Sequence, residues 1–239
     1  MVEQLKIKVF SDGAVLSDML HDLESGYVTG FTTNPSLMKK AGITNYVEFA
    51  KQVLEKITEY PVSFEVFSDD MNVMRKEAEK IASLGDNVYV KIPVTNSKGE
   101  STAPLISELA KKGVKVNVTA IFTLEQVRTV VDALEAGVPS YVSVFAGRIA
   151  DTGVDPEPLI KEAVKICAEK EGVELLWAST RETFNIYQAD RLGVDIITAT
   201  PAQIKNLAIQ GKDLNEYSLD TVKTFLKDIE SLGFSILED

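Results

Sequence analysis

Eight short runs rich in β-branched residues alternate with segments of helical spacing along the 239 residues. The runs are Lys6–Ser11, Tyr27–Thr33, Pro61–Phe67, Asn87–Val94, Lys115–Ile121, Ser140–Ala146, Val173–Ser179 and Val194–Thr198. Between them apolar residues recur with helical spacing, most clearly at Leu124, Val127, Val131 and Leu134 and at Met74, Ala78, Ile81 and Ala82. A repeated strand and helix unit forces parallel strands with right-handed crossovers. Eight units in a chain of this length predict an α/β fold, a single (β/α)8 TIM barrel spanning 1–239. An additional C-terminal helix is predicted over about 218–233, from Leu219, Val222, Phe225, Leu226, Ile229 and Leu232. Its apolar face is free to cap the barrel or to join a neighbouring subunit.

Alternate residues of a strand point to opposite faces, so parity sorts side chains into those under the helices and those inside the barrel. Val88, Val90 and Ile92 form an apolar row, which turns Lys91 inward. Val62, Phe64 and Val66 likewise leave Ser63 and Glu65 inside, and Ile7 and Val9 leave Phe10 and Asp12 inside. The same reading places Thr32 and Asn34, Asn117 and Thr119, and Ser143 and Phe145 in the interior. On the seventh strand it sends Leu176 and Ala178 outward and Trp177 and Ser179 inward.

Composition narrows the chemistry. Twenty-five Lys and Arg stand against 36 Asp and Glu, a net charge of −11 that repels nucleic-acid backbones and anionic membranes. No glycine-rich nucleotide fingerprint is present, no apolar run approaches a membrane span, and the N-terminus does not read as a signal peptide. A cytoplasmic location is expected. Cys167 sits in an apolar-periodic stretch and reads as a small core residue. With His21 alone there is no imidazole cluster to hold a metal, so neither metal nor cofactor is expected.

What remains is a lysine with carboxylates near the C-terminal ends of the strands, where barrels of this type place their chemistry. An unpaired buried ammonium is unfavourable, and full desolvation drives a lysine toward its neutral, nucleophilic form. Lys91 therefore reads either as a Schiff-base nucleophile or as a structural lysine paired with Glu65 or Asp12. In the first reading its iminium withdraws electrons from a neighbouring carbon–carbon bond while a carboxylate such as Asp12 takes the hydroxyl proton.

The runs Thr32-Thr33-Asn34-Pro35-Ser36-Leu37, Val88-Tyr89-Val90-Lys91-Ile92-Pro93-Val94-Thr95, Asn117-Val118-Thr119 and Phe145-Ala146-Gly147-Arg148-Ile149-Ala150-Asp151 resemble those of the transaldolase family, including its short fructose-6-phosphate aldolase-like branch. The resemblance implies transfer of a dihydroxyacetone unit from sedoheptulose 7-phosphate or fructose 6-phosphate to glyceraldehyde 3-phosphate or erythrose 4-phosphate, a step of the pentose phosphate pathway. It puts Lys91 at the Schiff-base position, Asp12 at the acid/base position, and Glu65 with Thr119 at the catalytic water. Thr32, Asn34, Asn117, Ser143 and Phe145 fall at substrate positions, the amides and Ser143 toward the dihydroxyacetone hydroxyls. Arg148, Ser179 and Arg181 match the phosphate site. Glu65 and Phe145 resemble the transaldolases, where free-standing aldolases carry Gln and Tyr. The alternative is an aldolase that releases free dihydroxyacetone, or a silent sugar-phosphate-binding barrel. Phe10-Ser11-Asp12-Gly13 departs from the family's usual Asp-Thr pairing and leaves Ser11 as an alternative, although parity and chemistry select Asp12. Thr180 stands where a Phe is common. The additional C-terminal helix and the short branch together imply a homo-oligomer, with a decamer as its expected size.

Overall fold

A computed structural model describes residues 5–237; the outermost residues of the predicted 1–239 domain lie outside that range. Eight strands follow one another in chain order: β1 (Lys8–Asp12), β2 (Val28–Thr32), β3 (Val62–Glu65), β4 (Val88–Pro93), β5 (Val116–Ile121), β6 (Ser140–Val144), β7 (Val173–Trp177) and β8 (Ile196–Ala199). Each pairs in parallel with the next, and β8 returns to β1, closing the barrel. The connections carry α1 (Leu16–Glu24), α2 (Pro35–Lys40), α3 (Tyr46–Lys56), α4 (Met71–Ala82), α5 (Ala103–Lys111), α6 (Leu124–Ala133), α7 (Ala146–Asp151), α8 (Glu157–Ala168), α9 (Phe184–Leu192) and α10 (Pro201–Lys205). The predicted (β/α)8 barrel is the observed fold.

The chain divides into two compact units, with the barrel in the unit ending at Lys205. The other contains a 3-10 turn, Asn206–Ile209, and α11 (Leu214–Leu232). This last helix starts earlier than its apolar spacing suggests. The Asp213 side chain accepts from the amides of Asn215 and Glu216, adding a capped first turn that carries few apolar residues.

The outward strand rows make the main core. Val62, Phe64, Val90, Ile92, Val116, Val118, Val142 and Val144 have no exposed surface, and neither do Val53, Met74, Ile106, Leu109, Val127 and Ile160 of the helices. Each such side chain stabilises the fold by roughly 1.5–3 kcal/mol relative to its exposed state. Cys167 belongs to this layer, and burial pushes its thiol up to about 12. Inside the barrel a second cluster of Phe10, Tyr89, Tyr141, Leu176, Ala178 and Ile196 fills the space below the strand ends. Tyr89 and Tyr141 stack at 4.0 Å, and Phe10 meets Tyr141 edge-on. Gly30 completes this packing, because a Cβ there would lie 2.5 Å from the Phe10 ring.

The seventh strand corrects the parity assignment. Leu176 and Ala178 point into the barrel, and Trp177 therefore falls on the face toward the helices. Leu175, Leu176, Trp177 and Ala178 are all apolar, so alternation carried no polarity signal there. Ser179 still reaches the interior, because a positive φ of 65° breaks the strand's alternation just after Trp177.

Candidate active site

The strands' C-terminal ends surround a polar cavity of about 480 Å³. It is lined by Asp12, Thr32, Asn34, Glu65, Lys91, Asn117, Thr119, Ser143, Phe145, Arg148, Ser179 and Arg181, which are all twelve site residues expected from the sequence. A second hollow of about 340 Å³ shares Glu65 with this cavity and is otherwise lined by Tyr46, Val47, Phe67, Ile81 and Leu84 with Lys76, Glu77 and Lys80.

Parallel pairing puts the charged centre at one level. Glu65 is in register with Lys91, and Lys91 with Asn117. Lys91 is 7% exposed; its Nζ lies 3.3 Å from Glu65 Oε2 and donates to the Thr33 carbonyl at 3.1 Å. The ammonium thus has one carboxylate partner and one backbone acceptor. Burial raises the affinity of Glu65 for a proton; the charge and hydrogen bond of Lys91 oppose that, and the negative charge of Asp12 adds to it.

Asp12 shows the same balance. Burial pushes its carboxyl above the usual range, against the charge of Lys91 and a hydrogen bond from Thr32. Thr32 Oγ1 donates to Asp12 Oδ1 at 2.8 Å. The preceding Ser11 points the other way and donates to Asp22 Oδ2 on α1 at 2.5 Å. Strand alternation thus places Asp12 in the cavity and Ser11 under the helix.

Neutral groups are held by one another. Asn117 donates through Nδ2 to Ser63 Oγ at 3.0 Å, and its Oδ1 accepts from Ser143 at 2.6 Å. Asn34 caps α2, its Oδ1 accepting from the Leu37 amide at 3.0 Å. Pro35 at the first helical position fits this cap, since the amide it lacks would have had no helical partner. Thr119 Oγ1 is buried without a hydrogen-bond partner. The next residue, Ala120, has a φ of 60°, where the pairing of β5 with β6 shifts register. This bulge re-aims the end of β5 beside Thr119.

At the opposite rim Arg148 lies over the Phe145 ring, 5.6 Å from its centroid, with no ion pair among the described residues. Arg181 is already engaged. Its Nε donates to Asp151 Oδ1 at 2.8 Å, and Nη1 reaches the carbonyl and hydroxyl of Ser179 at 3.0 and 3.1 Å. That pairing holds the Asp151 carboxyl below the usual range. Gly147 is required here, because a Cβ would sit 1.7 Å from the Ser179 carbonyl oxygen.

Sequence reading missed Asp151 as the partner of Arg181, although it ends the Phe145 to Asp151 run. It also missed Thr198, which the alternation of Ile196, Thr198 and Thr200 places on the inner face. Among the described residues no three His, Cys, Asp or Glu side chains are placed to hold a metal ion. No helix among them is long and apolar enough to cross a membrane.

Comparison with known proteins agrees with this geometry. Residues 9–236 match the family model described as "Transaldolase/Fructose-6-phosphate aldolase". A "Probable transaldolase" of Ruegeria sp. (strain TM1040) is 34% identical over 233 residues, covering 97% of this chain and all of that protein. Proteins of the same name from Brucella ovis (strain ATCC 25840 / 63/290 / NCTC 10512) and Thermoanaerobacter sp. (strain X514) are 35% identical over 222 residues and 36% over 193. These alignments cover 91% and 80% of this chain and 98% and 85% of the relatives. The barrel, its polar cavity and this match over nearly the whole length lead to one assignment: the chain belongs to the transaldolase/fructose-6-phosphate aldolase family.

Proposed function

We propose that the protein is a transaldolase that moves a dihydroxyacetone unit between sugar phosphates through a Schiff base on Lys91. The observation that carries this reading is a buried amine 3.3 Å from a half-buried carboxylate, in a cavity shared with a second carboxylate, Asp12. Burial raises the affinity of Glu65 for a proton, so Glu65 is suited to accept the proton that masks the Lys91 lone pair.

The steps follow from these positions. Lys91 Nζ adds to the ketose C2 carbonyl, and loss of water leaves an iminium. Asp12 takes the proton of the C4 hydroxyl as the C3–C4 bond breaks; the aldose leaves, and the bonding electrons become the enamine. An aldehyde acceptor then receives the enamine carbon, and Asp12 returns its proton to the new alkoxide. Water adds to the iminium to release the product and regenerate the amine. Thr119, whose buried hydroxyl has no protein partner, and Glu65 are suited to hold that water.

Asn34 Nδ2 and the Ser143–Asn117 pair offer polar contacts for the dihydroxyacetone hydroxyls. Arg148, with no ion pair among the described residues, offers a guanidinium for the phosphate, with Ser179 and Arg181 beside it. Phe145 presents a ring with no hydroxyl proton to quench the enamine, which favours transfer over release. The donors and acceptors proposed are sedoheptulose 7-phosphate or fructose 6-phosphate and glyceraldehyde 3-phosphate or erythrose 4-phosphate, the pairs of the pentose phosphate pathway. The setting proposed is the reducing cytoplasm, where an unpaired Cys167 is stable. A homo-oligomer is proposed because α11 carries an apolar stripe, Leu219, Val222, Phe225, Leu226, Ile229 and Leu232, with no buried residue on the helix.

The test is turnover of fructose 6-phosphate with and without erythrose 4-phosphate. Three-carbon transfer that requires the acceptor supports the transaldolase. Rapid release of free dihydroxyacetone without acceptor moves the reading to the aldolase.

A further inference from the structure

We propose that Thr198 on β8 is a positioning residue that acts through Thr32 to orient the Asp12 carboxylate and favour its charged form; this rests on the functional reading above. The observation is a buried relay. Thr198 Oγ1 lies 2.5 Å from Thr32 Oγ1, and Thr32 Oγ1 donates to Asp12 Oδ1 at 2.8 Å. Thr32 is 2% exposed and Thr198 6%. Barrel closure makes the relay, because β1 lies between β2 and β8 and both neighbours send a threonine inward beside it.

Proton counting gives the relay a direction. A hydroxyl has one proton, and an ionised carboxylate can only accept. While Asp12 is charged, the Thr32 proton points at Oδ1, leaving a lone pair toward Thr198. Thr198 is then the donor in the threonine pair, and its hydrogen bond strengthens the one that Thr32 gives to Asp12. Once Oδ1 carries a proton the chain can only run the other way, from the acid through Thr32 to Thr198, and the charge-assisted bond to an anionic acceptor is replaced by weaker bonds between neutral groups. The relay therefore favours the carboxylate, the form that accepts the C4 hydroxyl proton.

Other groups around Asp12 do not supply this effect. Lys91 and Glu65 share its cavity and act through their charges. The cleft on the other side of Asp12 carries Asp18 and Asp22 of α1 and Lys40 of α2, and Asp22 is engaged by Ser11. Thr32 is the side-chain donor to Asp12, and it opposes the upward pull of burial on that carboxyl.

The experiment compares Thr198→Val, which keeps the shape and removes the donor, with Thr198→Ser, which keeps the hydroxyl. The expected result for Thr198→Val is an acid limb of the kcat/KM profile moved up by roughly 0.3 to 1 pH unit. Its kcat should fall roughly 2- to 10-fold, with KM nearly unchanged, and Thr198→Ser should restore both. If Thr198→Val does not fold, Thr198→Ala is read in the same way. A variant profile that superimposes on the parent overturns the proposal, and so does failure of Ser to restore it. Borohydride trapping of the parent on Lys91 is run alongside. A trapped parent with an unmoved variant profile removes this inference alone, whereas an untrapped parent removes the functional reading and this inference with it.

Discussion

Glu65 and Lys91 are in register on adjacent parallel strands, and their side chains meet 3.3 Å apart inside the barrel. A pair fixed by strand register does not depend on loop conformation, so the amine and the carboxylate are held together before substrate arrives. Removing the carboxyl charge by Glu65→Gln leaves a buried amine without its anion and, in the proposed mechanism, the hydrolytic water without its acceptor. Steady-state assays should show kcat reduced roughly 10²- to 10⁴-fold, with iminium formation slowed in single-turnover trapping. Unchanged trapping kinetics would contradict this role.

Asp12→Asn keeps the shape and the Thr32 contact but cannot accept the C4 hydroxyl proton. The expected loss in kcat is roughly 10²- to 10⁴-fold. Stopping before bond cleavage, the variant should accumulate the six-carbon Schiff base, visible as a six-carbon borohydride adduct. A three-carbon adduct at the parent's rate would show that cleavage does not need Asp12.

The same substitution has a pH signature in stability. Burial raises the Asp12 carboxyl above its unfolded value. Between those two values the native state holds a proton that the unfolded chain has released, so stability falls as pH rises through that window. At neutral pH, above the ordinary carboxylate value of about 4, the penalty is present. Thermal unfolding should therefore place Asp12→Asn above the parent at neutral pH, with the difference shrinking as pH falls toward about 4. A gap independent of pH would contradict the account.

Much of this was legible in the sequence, for reasons that differ by strand. Lys91 and Glu65 each lie between apolar neighbours, so alternation alone turned them inward. Asp12 followed from the same rule, and Ser11 on the opposite face confirms it through Asp22. On β7 the polarity signal failed, because both faces are apolar; Leu176 is inside, and Ser179 arrives through a positive φ that no periodicity encodes. The Asp151–Arg181 pair and the Thr198–Thr32 contact join residues 30 and 166 positions apart. Their partnership depends on barrel closure and strand-end turns, which pattern within single segments does not carry.

At the rim, Arg148 makes no ion pair among the described residues, although its charge acts on Asp151. Arg148→Ala should lower kcat/KM for phosphorylated substrates roughly 10- to 100-fold, the worth of a hydrogen bond to a charged group. Cleavage of an unphosphorylated ketose should change little. Equal losses on both substrates would assign Arg148 to packing on Phe145 instead.

Gly147→Ala puts a methyl group where the Ser179 carbonyl stands, at 1.7 Å. Backbone cannot yield as a flexible side chain can. The variant should lose about 3 kcal/mol or more of stability by chemical denaturation, at or beyond the usual upper range for overpacking. Neutral behaviour would mean that the turn holding Ser179 moves freely.

Borohydride trapping tests the central claim most directly. The protein is incubated with fructose 6-phosphate, reduced, digested and mapped by mass, with Lys91→Ala in parallel. The account predicts a reduced three-carbon adduct on Lys91 and none in the variant. No adduct, or one on a different lysine, would contradict Schiff-base chemistry at this site.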